Sequence, residues 1–265
     1  MAAYLERRFS RSALWSRRIG YFALVLLVID ALAHRYGFID TLAALGVLAV
    51  VFALALIALA LATIGFTRLW RRGDKAGRNA TAGTVMALLA LTPFVAGGVA
   101  YFLYPQVTDV STDLADPPRL ALAEAARRPP MNPIRPPSPD EIDKQKQAYP
   151  EMTGRLFEAP AEQVAPAVLA EAIDRGWTVR SAPEFTDGAG AVTMEFTAYT
   201  LVFAFPADVA VRVMDEAGAT IVDMRSVSRY GRHDFGDNAR RIADFLTALD
   251  ARLRAEPIKG LQAEP

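Results

Sequence analysis

The 265-residue sequence contains no cysteine, which excludes disulfide staples, thiolate metal sites and a cysteine nucleophile while leaving the redox compartment open. Histidine is scarce. His34 and His233 are the only two, and no Gly-x-Ser-x-Gly nucleophile elbow occurs anywhere in the chain. Long apolar runs are almost absent beyond residue 104, and that part holds 18 basic against 25 acidic residues, a net charge of −7. An acidic domain repels polyanions, so nucleic acid is not expected as a partner. The absence of staples leaves packing as the source of stability.

What is present lies first in the N-terminal part, where the composition, 52% hydrophobic with a mean hydropathy of +0.19, is concentrated. A spanning helix needs about 20 mostly apolar residues, because the hydrocarbon core is ~30 Å thick and a helix rises ~1.5 Å per residue. Residues 14–33, 41–66 and 80–104 qualify, giving a membrane region over residues 1–104. Glycines Gly46, Gly65, Gly83, Gly97 and Gly98 suit close helix approach in lipid.

Basic residues near spans tend to stay on the cytoplasmic side. Arg7, Arg8, Arg11, Arg17 and Arg18 precede the first span, and Arg68, Arg71, Arg72, Lys75 and Arg78 follow the second, against Arg35 alone in the loop between them. The N-terminus is therefore expected inside and the C-terminal domain outside, in the periplasm of a bacterium with two membranes, the bilayer itself being the first partner. The alternative for the first segment is a secretory signal, with an apolar run over 19–29 and a small-residue site at Ala31-Leu32-Ala33. Asp30 is the acidic residue well inside an apolar run, and it reads as an interfacial residue or a helix–helix hydrogen bond.

Ten of the 17 prolines fall in residues 105–150. Proline fixes φ and disfavours helix in the residue before it, so this stretch reads as an extended linker with a short helix near residues 120–127. It is either a semi-rigid spacer or a segment wrapped on the domain's surface.

Residues 151–256 read as an α+β domain with a tail at 257–265. Val164, Val168, Leu169, Ala172 and Ile173 share a helical face that ends at Gly176, with Pro166 as a kink or the true start. A short strand is expected over 177–181. Val192, Met194, Phe196 and Ala198 then alternate with polar neighbours, as do Val209, Val211 and Val213, and, after a turn at Gly218, Val222 and Met224. Ile242, Phe245, Leu246, Leu249 and Leu253 line a last amphipathic helix. The expected domain is a twisted antiparallel sheet with both helices on its apolar face, leaving Glu195, Arg212, Asp223 and Arg225 on an exposed face in pairs of little energetic consequence.

The run Asp223-Met-Arg-Ser-Val-Ser-Arg-Tyr-Gly-Arg-His-Asp-Phe-Gly-Asp-Asn-Ala-Arg-Arg-Ile242 resembles the signature of the family catalogued as domain of unknown function 1499. The matching positions are Arg225, Ser226, Ser228, Arg229, Gly231, Asp234, Gly236, Asn238, Ala239, Arg241 and Ile242. Phe205-Pro-Ala-Asp-Val-Ala-Val-Arg212 is similar to a second element of the family, from which Ala207 departs at its first Asp. Thr108–Asp113 with Pro117-Pro118 is similar to its N-terminal motif. The resemblance implies a bacterial envelope protein with this membrane arrangement and supplies no reaction.

The signature offers groups for three chemistries. A Ser-His-Asp arrangement would draw on Ser226 or Ser228, His233 and Asp223 or Asp234, but needs an exposed nucleophile and an oriented base. Metal binding by His233, Asp234 and Asp237 matches no standard spacing, so no metal or other cofactor is expected. An anionic ligand would be held by Arg225, Arg229 and Arg241 near the helix starting around Gly236. Against it stands an internal network in which Asp234 caps that helix and Asp208, Asp223 and Asp234 pair with the arginines. The sequence thus points to a membrane-anchored, non-enzymatic envelope module that binds a protein or a small anionic envelope ligand, with an envelope hydrolase as the alternative.

Overall fold

A computed structural model describes residues 8–183, 190–216 and 219–255. Arg7, the turn at Gly218 and the tail 257–265 lie outside the described residues. The chain divides into two compact units: the first runs to Val99 and includes Val202–Ala204, and the second comprises Ala100–Leu201 and the chain from Phe205 onward.

The first unit is built on three helices, α1 (Arg11–Arg35), α2 (Thr41–Arg72) and α3 (Gly77–Leu103), each long and apolar enough to cross a membrane. Ser10 and Asp40 start the first two by accepting the backbone N–H of Ala13 and Ala43, and Gly73 ends α2 in the left-handed conformation at φ 67°. With 32 residues, α2 is about 48 Å long, more than a hydrocarbon core needs, so its basic last turn lies beyond the apolar stretch.

Small residues make the helix contacts. A Cβ on Gly83 would meet Ser16 Oγ at 2.1 Å, and one on Gly20 would meet the Gly83 carbonyl oxygen at 2.8 Å. Gly65 is pressed in the same way by Ala13, and Ser16 Oγ donates 2.8 Å to the Ala58 carbonyl. Close backbone approach and polar contacts across helices replace the hydrophobic drive that lipid removes. Gly46, Gly97 and Gly98, by contrast, face open space and mark no helix contact. Asp30 is 2% exposed, and neither of its carboxylate oxygens meets a hydrogen-bond partner among the described residues. The helix–helix hydrogen bond expected of it is not formed.

The second unit is an open sheet of six antiparallel strands: β1 (Asp109–Ser111), β2 (Arg155–Phe157), β3 (Thr178–Val179), β4 (Ala191–Tyr199), β5 (Pro206–Glu216) and β6 (Ala219–Ser228). Their order is β1-β6-β5-β4-β3, with β2 also on the outer edge of β6. Helices α6 (Ala161–Asp174) and α7 (Asp237–Ala255) cover the face carrying Met194, Phe196, Val209, Val211, Val222 and Met224. Trp177 stacks on Phe245, centroids 5.0 Å apart, at the centre of this core. Pro166 sits inside α6 and starts nothing; Ile173, expected on its buried face, is 55% exposed.

The other face overturns the expectation of an exposed polar surface. Glu195, Asp223 and Arg225 are buried. Residues 105–150 lie across them, contributing β1, the short α4 (Ala121–Ala126) and α5 (Pro139–Ala148). The segment therefore wraps the domain, and the spacer alternative does not hold. Its anchor is Leu120, buried against Ala210 and Val227 with Ala123 and Ile134 packed alongside. Helix α5 starts at a capping box, with Ser138 and Glu141 satisfying each other's backbone N–H groups and Pro139 at the first position. Gln145 of α5 then clasps β1, accepting from Ser111 N at 3.2 Å and donating to Ser111 O at 2.6 Å.

Candidate functional site

The charged side chains of the wrapped face owe their positions to two-residue alternation along β4, β5 and β6, which aims every second side chain away from the helices. Each finds its partner in the wrapping strap. Arg225 holds Asp109 through two hydrogen bonds, Nε at 3.0 Å and Nη2 at 2.6 Å, and donates to the Arg135 carbonyl at 2.9 Å. Arg212 reaches Asp223 at 3.1 Å, Asp113 at 3.0 Å and Asp116 at 2.7 Å. The Glu195 carboxylate accepts the backbone N–H groups of Leu122 and Ala123 at 2.9 and 3.0 Å, capping α4. Asp223 also accepts from Thr112 Oγ1 at 2.8 Å, and Gly154 passes so close that a Cβ there would meet Asp223 Oδ1 at 2.4 Å.

Arg229 binds Asp208, with Nε at 3.1 and 3.0 Å from its two oxygens and Nη2 at 2.6 Å, and donates to Thr197 Oγ1 at 2.8 Å. A second arginine, Arg127 of the strap, brings Nη2 to 2.9 Å from the same carboxylate. Burial works against the charge of Arg229, yet the Asp208 bonds raise its pKa above the usual arginine value. Burial lowers the pKa of Arg127 and raises that of Asp109, the latter in spite of Arg225.

On the helix side, Ser226 Oγ donates 2.8 Å to Asn238 Oδ1 and accepts from Arg241 Nη1 at 2.9 Å. Ser228 Oγ accepts from Asn238 Nδ2 at 3.0 Å. Arg241 also pairs with Asp237. Asp234 caps α7 by accepting the backbone N–H groups of Gly236 and Asn238, both at 3.0 Å, while burial raises its pKa. The turn before α7 needs φ of 77° at Gly236, and the Tyr104 ring occupies the space a Cβ would fill there. His233 Nδ1 accepts the Phe235 N–H at 2.9 Å, which leaves Nε2 to donate to the Tyr104 carbonyl at 3.2 Å.

The structure thus joins Asp208 with Arg229, Arg212 with Asp223, and Ser226, Ser228 and Asn238 with Arg241. Arg225, Arg229 and Arg241 do not converge on one anion site: Arg241 lies on the helix side, and Arg225 and Arg229 have separate carboxylates. Among the described residues, Asp234 pairs with no arginine. Ser226, Ser228 and His233 all have partners other than one another. Among the described residues, no three His, Asp or Glu side chains gather to hold a metal. No sequence pattern marks Asp109, Arg127, Arg135 and Gln145 as partners of the sheet; the Ser138-to-Glu141 capping-box spacing is the legible signal that this region is structured.

Beside the strap lies a groove of about 890 Å³, lined by Asp113, Lys146, Tyr149, Met152, Leu156 and Ile221 among others. Leu156 is largely exposed. Burial, with Asp234 nearby, pushes the Tyr149 hydroxyl up to about 12.

Residues 109–249 match the family model described as "Protein of unknown function (DUF1499)". The chain belongs to the DUF1499 family. Its model takes in the strap from β1 onward, the whole sheet and most of α7, so the wrapping segment is within the family's own span. No curated protein matches the chain. Among solved structures it is similar to CalU16 from Micromonospora echinospora at 14% identity, over 38% of this chain and 76% of that one, with a TM-score of 0.24.

Proposed function

We propose that this DUF1499 chain is a membrane-anchored envelope module whose folded domain stands on the non-cytoplasmic side and binds a protein or small envelope ligand without catalysing a reaction. One observation carries the reading. The groups that would form a nucleophile and its base are committed to internal bonds, whereas the groove beside the strap stays open with mixed apolar and charged walls. Clefts of this size with apolar walls and a few polar groups are the usual form of ligand sites. The orientation is supported by the basic residues flanking the spans. In a bacterium with two membranes the domain would be periplasmic, with the lipid bilayer and the groove's occupant as partners and nucleic acid excluded by the domain's acidity.

The absence of cysteine makes the orientation directly testable. A single Ile173→Cys variant should react with a membrane-impermeant maleimide in cells whose outer membrane alone is permeabilised; labelling that needs lysis of the inner membrane places the domain inside. For the groove, a photo-crosslinking amino acid at position 156 should yield a discrete adduct in cells, resolved by mass as protein or small molecule. An equal adduct pattern from position 173, far round on α6, would remove the groove from consideration.

A further inference from the structure

Among the described residues of the wrapped face, Arg212 leaves only its Nε without a hydrogen-bond partner, whereas Arg127 leaves its whole guanidinium so. Arg127 ends α4 and buries its side chain to 8% exposure. Its Nη2 faces Asp208, but Asp208 is already held by Arg229 through Nε and Nη2. No guanidinium nitrogen of Arg127 makes a hydrogen bond among the described residues. Buried donors are almost always satisfied, and an exception calls for a group that completes it.

The charge is unbalanced as well. Two guanidinium groups share the Asp208 carboxylate, and the neighbouring Arg225 is already neutralised by Asp109. Around Asp208 itself one positive charge is therefore left over. Water could satisfy the Arg127 donors, yet it would leave that charge uncompensated in a poorly solvated place. An oxyanion does both, since charge-assisted bonds to guanidinium are the strong ones.

We infer that Arg127, backed by Arg229 across Asp208, binds a small oxyanion, either a carboxylate or a phosphate group. The site is distinct from the groove, which Arg127 does not line, and it stands whether or not the groove binds a ligand. It also differs from the three-arginine cluster expected from the signature, because the decisive cation comes from the strap.

The test uses the full chain in detergent and reads the thermal midpoint in sodium phosphate and in sodium acetate against sodium chloride of equal ionic strength. Phosphate a hundredfold above its Kd should raise the midpoint by about 5 to 10 °C; a rise in acetate as well assigns the site to carboxylates generally. Arg127→Gln should abolish the rise. Asp208→Asn removes the competing carboxylate, so it should bind phosphate about tenfold more tightly and recover more of its midpoint from phosphate than the parent does, even if it is unfolded in chloride. The inference is overturned if neither oxyanion shifts the parent beyond chloride, if Arg127→Gln responds like the parent, or if phosphate fails to restore Asp208→Asn. In each case the Arg127 donors would be met by water alone.

Discussion

The two faces of the sheet are covered by different means. On one, α6 and α7 bury mainly aliphatic and aromatic side chains, whose contact is non-directional, beside the polar cluster of Ser226, Asn238 and Arg241. On the other, a proline-rich strap with only short helices buries arginines and carboxylates beside a small apolar cluster of Leu120, Ala123 and Ile134 on Ala210 and Val227. The first face tolerates imprecision because apolar area is what matters. The second does not, since a buried charge that misses its partner costs several kcal/mol. Irregular chain can cover a polar sheet face when it brings partners for the groups it buries, as Asp109 does for Arg225 and Thr112 for Asp223.

The sharpest way to break this comparison is to remove the strap. A fragment of residues 149–255 keeps both helices but loses Asp109, Asp113, Asp116, Leu120, Arg127 and Gln145; it should fail to unfold cooperatively, whereas residues 106–255 should do so. Equal cooperativity would make the strap an ornament on a self-sufficient sheet. This replaces the simpler expectation from sequence that the α+β domain begins near residue 150.

On the helical face, Phe245→Ala removes a fully buried ring stacked on Trp177 and should cost about 3 to 5 kcal/mol by denaturant unfolding. A loss under about 1 kcal/mol would show that this face is not where the domain's apolar core lies.

On the strap face, Arg225→Met leaves the part-buried Asp109 without its cation and should cost about 3 kcal/mol. Adding Asp109→Leu should return most of that loss, because apolar pairs often replace buried ion pairs without penalty. If the double variant is as unstable as the sum of the single ones, the pair contributes through something other than its charge.

The smallest effect concerns acid. Burial opposes ionisation of Glu141, but Arg135 and the Ser138 N–H and hydroxyl bonds outweigh it and hold its pKa at about 2, below the ordinary 4.5. A lowered folded pKa contributes stability that is present above 4.5 and is lost as pH falls towards 2. Glu141→Gln should therefore flatten the acid limb of the stability profile between those values. Asp109 and Asp234 act with the opposite sign, their raised values favouring the fold at low pH and losing that contribution as pH rises through them. An unchanged acid limb in Glu141→Gln would show that the strap's capping box does not persist in solution.

Much of this was legible in the residues themselves. Three runs of 20 or more apolar residues can satisfy their backbone in lipid only as helices, and helices long enough to cross a membrane are what the structure has. Period-two alternation placed Met194, Val211 and Met224 on one face and Glu195, Arg212 and Asp223 on the other, as found. The signature from Asp223 to Ile242 named the family. What remained hidden was the cover on the second face. Alternation reports which side chains share a face and says nothing of what lies on it, since proline-rich chain has no period of its own to reveal its destination. The partners of Arg225 and Glu195 stand 116 and 73 residues away in sequence. Only folding brings such groups together, because an ion pair depends on distance in space, and no local rule of composition or spacing encodes that distance for residues so far apart along the chain.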